Sequence, residues 1–353
     1  MTQIFRQQLA AIACLTVAAL VCAVPAAGQE EEPQPRELTD WERAELQSLV
    51  EVVGAARAGE LDPVEDPFDM SPSFLKGTDG ATYVPFTLTI DPGKFDGSSV
   101  AVYLYVDDPA PAAAVEEETD DSDDDAEEAV FEDAYFIQLD EPGADSMVRL
   151  SRAFSAPGGD YDVYVAVRQS LGEEGEDDAR EALPVMLLKR QVSVPDLWTE
   201  QLQTSTVLVA DMVEPLAAPL SPEEQIQHPY TLGTTRITPK FDRRFGKQAD
   251  LNLLMLVYNP RLSSGMPNVT VEYNFHTQTD SGEEFFNKTN PQEFNAQTLP
   301  PGFSVEAGHQ IVAGQSVPLS LFPAGEYRLE IKITDNEAGT DLIRDVMFTV
   351  LET

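Results

Sequence analysis

Sixty-two of the 353 residues are aspartate or glutamate and three are histidine, so carboxylates are the groups through which this chain could most readily do chemistry. Two carboxylates flanking a glycosidic bond can act as acid and base or nucleophile. With so many acids, no particular pair is marked out. His228, His276 and His309 stand singly, none at metal-ligand spacing from a Cys, Asp or Glu, and polar-loop histidines are the expectation. The sequence holds no Gly-x-Ser-x-Gly elbow and no glycine-rich phosphate loop after a strand. Cys14 and Cys22 both lie in the first 28 residues, so a chain cut after that segment has no thiol nucleophile and no disulfide. No catalytic, cofactor-binding or metal-ligating residue is assigned, and the chain is expected not to be an enzyme.

The densest charge lies in residues 107–133, which hold fourteen Asp or Glu and no Lys or Arg. Carboxylate oxygens suit calcium. The runs Glu116-Glu117-Glu118 and Asp120–Asp125 lack the Asp-x-Asp-x-Asp-Gly order of a formed loop, and crowded like charges without apolar cover favour a solvated, disordered insert. Asn268-Val-Thr and Asn287-Lys-Thr match glycosylation acceptors by pattern, which is read as chance in a bacterial-looking export. Tyr103, Tyr105 and Tyr164 fall opposite the apolar positions of their strands. Exposed, they could stack on sugars; covered, they would pack beneath another sheet or a helix.

Compartment and partners follow from the start of the chain and from its charge. Arg6, the apolar run Leu9–Val24 and Ala26-Ala27-Gly28 form an export signal over 1–28, too short for a membrane span, which puts the chain in the periplasm or outside the cell. Lipoprotein processing at Cys22 is the minor alternative, because Val21 stands where a small residue is preferred. Formal charge is −40, from 22 bases against 62 acids, and excludes a phosphate-backbone footprint.

What would position any site is a set of strands. Ala156-Pro-Gly-Gly-Asp-Tyr161 leads into Val163, Val165 and Val167; Pro323-Ala-Gly-Glu-Tyr327 leads into Leu329, Ile331 and Ile333. Each reads as a turn delivering a tyrosine to a strand with one buried face, the order of a tyrosine corner in an immunoglobulin-like sandwich. The expected fold is therefore all-β, with two tandem immunoglobulin or fibronectin type III-like sandwiches and one N-terminal amphipathic helix.

Within the acidic flexible segment 29–78, Thr39 and Glu42 form a capping box, and Trp41, Leu46, Leu49, Val50 and Val53 recur at helical spacing, predicting a helix over 40–57 that packs on its own protein or on a partner. Residues 60–80 read as irregular. The first sandwich is placed at 79–196 with 107–133 as its insert, a proline-marked linker at 197–226, and the second sandwich at 227–353.

Val194-Pro195-Asp196-Leu197, Thr204-Ser205 to Ala210-Asp211, Phe285-Phe286-Asn287-Lys288-Thr289-Asn290-Pro291 and the Phe322–Val350 block resemble uncharacterised exported bacterial proteins with paired β-sandwiches. The sandwich region is also similar to those of GWxTD-motif proteins, although the motif itself is absent: Leu197-Trp198-Thr199-Glu200 lacks its glycine and spacing. The resemblance implies export and a sandwich fold, and no activity. The expected role is a non-enzymatic binding or scaffolding protein whose partner is another envelope or extracellular protein, acting through sandwich surfaces or the 40–57 helix. The alternative is a carbohydrate-binding or glycan-hydrolysing envelope protein.

Overall fold

The computed structural model describes residues 38–63, 68–108, 129–139, 147–176, 179–180 and 183–352. The expected export signal over 1–28, the acidic stretch to residue 37 and residues 109–128 of the insert lie outside the described residues. The described residues form two compact units, one within 38–199 with 221–229, the other 200–220 with 230–352.

The first unit begins with α1, Asp40–Arg57, whose start is fixed locally: Thr39 Oγ1 accepts from the Glu42 amide, and the Glu42 carboxylate accepts from the Thr39 amide at 2.8 Å. Asp40 and Glu42 at the first turn and Arg57 at the last complement the helix dipole. One sheet follows the order β5 (Phe131–Gln138), β4 (Ser99–Asp107), β7 (Gly159–Gln169), β8 (Met186–Val194). The other has β3 (Thr82–Ile90) between β6 (Val148–Ala156) and the short strands β1 (Asp69–Pro72) and β2 (Leu75–Lys76). Core residues from both sheets meet, among them Val84, Phe86 and Leu88 from β3 with Val102 and Leu104 from β4 and Val163 and Val165 from β7.

Two boundaries differ from expectation. Residues 60–80 are not wholly irregular, and the first sandwich begins near Phe68, because β1 and β2 pair with β3 and bury Phe68, Met70 and Leu75. Strands of four and two residues are too short to show alternation. Their pairing breaks between Pro72↔Phe86 and Leu75↔Tyr83, opposite Pro85, which has no amide to donate. The insert also ends earlier, since Phe131–Asp133 already belong to β5, and the Val130 amide donates to Val106 to close the β4–β5 hairpin.

In the second unit one sheet runs β11 (Thr231–Leu232), β12 (Thr235–Pro239), β10 (Leu208–Pro215), β14 (Asp250–Tyr258), β20 (Ile311–Pro318), with β9 (Gln203–Thr204) also on β14. The other runs β13 (Arg244–Phe245), β22 (Thr340–Val350), β21 (Gly325–Asp335), β17 (Val269–Thr279), β18 (Gly282–Lys288), with β19 (Gln292–Phe294) also on β17 and β15 (Leu262–Ser263) paired to β16 (Met266–Pro267) as a separate ribbon. Leu251, Met255, Ile311, Val271, Phe275, Leu329, Ile331 and Phe348 share its core.

The expected linker 197–226 is thus largely structured. Its Leu208, Val209 and Ala210 pair with β14, and its last part supplies α2 (Pro222–Gln227), capped by Ser221, to the first unit. Pro215 ends β10, Pro219 lies in the loop that follows and Pro222 opens α2, positions where a missing amide costs little. β20 is followed directly by a 3₁₀ turn over Leu319–Leu321. Between β21 and β22, Asp335 accepts from the Glu337 and Ala338 amides at 3.0 Å each, and Gly339 takes a φ of +68° that disfavours other residues.

Both tyrosine corners are present. Tyr161 donates to the Pro157 carbonyl at 3.0 Å and Tyr327 to the Pro323 carbonyl at 2.8 Å, each four residues back, with both rings buried. Gly158 is demanded by space: a Cβ there would lie 2.7 Å from the Asp196 Cβ. Each unit is an immunoglobulin-like β-sandwich, the first with a helical third layer.

Candidate functional site

Local sequence dictates where that third layer lands. In β4 and β7 the middle of the face turned away from the core is Ala101, Tyr103, Tyr105, Tyr164 and Ala166, small or aromatic and uncharged, with Arg168 at one end and Asp107 and Asp162 at the other. Together with Leu187 of β8 they receive Leu46, Leu49, Val53 and Ala56 of α1. Burial of each large α1 side chain contributes about 1.5–3 kcal/mol. The three tyrosines are 5%, 6% and 3% exposed, so they are a helix seat and not a sugar-stacking platform. Periodicity alone left those two outcomes open.

One end of α1 is fastened by a buried ionic cluster. Glu45, wholly buried, pairs with Arg180 and accepts from the Leu171 amide at 2.8 Å. Arg168, on β7 and 1% exposed, donates to Ser48 of α1 and to the Arg180 carbonyl. Burial pushes the pKa of the Arg168 guanidinium below its ordinary value, an effect that the nearby Glu45 carboxylate opposes. At the other end Arg57 pairs with Asp107 at 2.8 Å and lies 4.4 Å above the Tyr105 ring. Arg180 also donates to the Gly172 and Gly175 carbonyls. Sequence gave no sign of this cluster, because Glu45 sits on a helix and Arg180 lies 135 residues away.

Beside α1, over β5, a groove of about 700 Å³ opens. Its apolar lining is Leu38, Leu46, Val50, Ala134 and the Tyr103 ring, and its charged rim is Glu51, Glu132, Asp133 and Arg43. Leu38 and Val50 are 36% and 43% exposed. Tyr103 donates to Glu132 at 2.8 Å; burial first, then that bond, raises its pKa and keeps the phenol a donor. Asp133 accepts from Tyr135 at 2.6 Å and from the Ala134 amide at 2.7 Å, while Arg43 is held by Asp40 at 2.8 Å. Trp41 packs edge-on to Phe136 at 5.1 Å. The groove offers apolar contact ringed by three carboxylates against one guanidinium.

The remaining candidates are dispersed. His276 is in β17, not in a loop, with Nδ1 3.6 Å from Glu283 and its ring 5.9 Å from Phe285. His309 Nδ1 accepts from the Ser304 amide, and His228 caps α2. No cluster of three metal-ligating residues occurs among the described residues. Asn268 is half-buried and Asn287 exposed, and Trp198 donates to the Ala81 carbonyl beneath the Lys76 ammonium. On the solvent face of the second unit, Arg328 spans Glu283, Glu330 and Asp345 in an ionic ladder.

No protein-family model matches the chain, and no curated protein matches it. Among solved structures it is similar to an immunoglobulin-like protein from Pseudomonas aeruginosa, at 15% identity and a TM-score of 0.20, covering 41% of this chain and 96% of that one. It is also similar to trypsin-activated alpha-2-macroglobulin from Escherichia coli, at 10% identity and a TM-score of 0.22, covering 82% of this chain and 17% of the macroglobulin. The native form of that macroglobulin gives 11% identity and a TM-score of 0.19, with 82% and 16% covered.

Proposed function

We propose that this chain is an exported, non-enzymatic binding protein that engages another envelope or extracellular protein through the surface of its first sandwich. The observation that carries the reading is the α1–β5 groove, where Leu38 and Val50 stay exposed although the sequence supplies α1 with a full apolar face for its own sheet. Exposed apolar side chains gathered in one groove and rimmed by charge mark a contact surface. Export is supported by the signal-like start and by the resemblance to exported paired-sandwich proteins.

The glycan reading loses its named aromatics to the helix seat. It is weakened again in the groove, where the Glu132 and Asp133 carboxylates are each engaged by a tyrosine hydroxyl.

A photo-crosslinking residue at position 50, with one at Glu306 in the second unit as control, tests the reading in envelope extract. A discrete protein adduct from position 50 alone is expected. Release of reducing ends from envelope glycans by the purified chain, abolished in Glu132→Gln, would overturn it.

A further inference from the structure

The groove has a length, a width and a charge, and together they describe its occupant. Its α1 wall carries lining residues from Arg43 to Glu51, so the trough runs along about 12 Å of helix axis, and Leu38 extends it just past the start of the helix. That matches about two turns of a second helix. The sheet below is four strands wide, about 14 Å between its outer strands. Helices pack at interaxial distances of about 8–10 Å, so a sheet of that width seats two side by side. α1 lies over β4 and β7 and reaches β5 at Phe136 through Trp41, which leaves the Glu132–Ala134 end of β5 open as the groove floor.

On the exposed side of α1, Arg43, Gln47, Val50 and Gly54 form a stripe at helical spacing, and Gly54 has no heavy atom within 4 Å of where a Cβ would stand. Such a stripe admits a close neighbour.

The rim selects its charge. Glu51, Glu132 and Asp133 face the trough, whereas Arg43 is already tied to Asp40. The segment of this chain that precedes the groove carries Glu30, Glu31, Glu32 and Glu37 against Arg36, the same sign as the rim. A second copy, at −40, is repelled as well. We infer that the groove docks a cationic amphipathic helix of another protein, its apolar stripe on Leu38, Val50 and Ala134 and its lysines or arginines on Glu51, Glu132 and Asp133, in the helix-in-groove manner. The inference rests on the binding reading and names the partner's chemistry.

Fluorescence anisotropy of the full exported protein with a labelled leucine–lysine helix of about 18 residues tests it, against a permuted peptide of equal composition without an amphipathic face. The amphipathic peptide is expected to bind at least ~10-fold more tightly, the scale of one or two buried apolar side chains. Val50→Lys and Glu51→Lys, both at exposed positions, should each weaken it about 10-fold, while the charge-matched Glu306→Lys should stay within about 2-fold. Equal binding of both peptides, or equal effects of all three variants, would mean diffuse attraction to an acidic protein and overturns the inference. A position-50 cross-link to residues 29–37 of the same chain also overturns it. An extract partner whose cross-linked segment is neither basic nor helical sinks the helix assignment and leaves the binding reading standing.

Discussion

Strands β4 and β21 are the centres of comparable sheets and have opposite outer faces. β4 reads Ser-Val-Ala-Val-Tyr-Leu-Tyr-Val-Asp and is buried on both sides. β21 reads Gly-Glu-Tyr-Arg-Leu-Glu-Ile-Lys-Ile-Thr-Asp, and its alternate positions remain partly exposed. Both alternate, so both build a sandwich core. The residues between the core positions decide the rest: Ala and Tyr in β4 can be desolvated at small cost and receive α1, whereas Glu, Arg and Lys in β21 keep their solvation and pair across strands. One face gains a third layer, and the other is stabilised by the Arg328 ladder and by Lys332 with Asp341 at 3.0 Å.

The contrast can be broken most severely at the buried end of α1. Glu45→Ala leaves Arg180 and Arg168 without their carboxylate and is expected to cost about 3–5 kcal/mol, the range for a buried pair that loses one partner. Denaturant unfolding followed by tryptophan fluorescence, with Trp41 on α1 as reporter, should show an early loss of the helix layer. An unchanged midpoint would mean the helix is held by apolar contact alone.

Where the two regions are built alike, they should respond alike. Tyr161→Phe and Tyr327→Phe each remove one buried hydrogen bond and leave a proline carbonyl unpaired, at about 1–3 kcal/mol apiece. A loss at only one of the two would deny that the corners are equivalent.

Arg328→Ala comes next, at about 1 kcal/mol, above an ordinary surface change because three carboxylates lose a shared cation. Its pH dependence has a definite sign. Bonding to Arg328 depresses the Glu283 pKa below its ordinary 4.5, so the stabilisation is present above that value and is lost as pH falls through the lower folded one. Thermal melts of both forms should differ at pH 7 and converge once the pH falls below the ordinary carboxylate range and Glu283 is protonated; a constant difference would remove the ladder from the account. Smallest is Ile343→Thr, half exposed on the bare face, expected within about 0.5 kcal/mol by the same melts.

Much of this architecture could be read locally. Thr39 and Glu42 announce α1 because a capping box is closed within four residues, and Tyr161 and Tyr327 announce their corners because each bond returns four residues. The groove was not legible: Val50 was counted among the apolar positions of the helix, and only the breadth of the sheet beneath α1 shows that it falls beyond the covered strip.

The sequence by itself determined what depends on short range: the alternation of β7 and β21, the two tyrosine corners and the boundaries of α1. Only tertiary structure decided what depends on distant partners. It assigned the tyrosines of β4 and β7 to a helix seat, drew residues 208–215 out of an apparent linker into the sheet of β14, and brought Glu45 to Arg180. Local patterns fix which face of a strand or helix is apolar, whereas the surface that covers that face lies tens of residues away or more and is selected by the global competition to bury apolar area and pair buried charge.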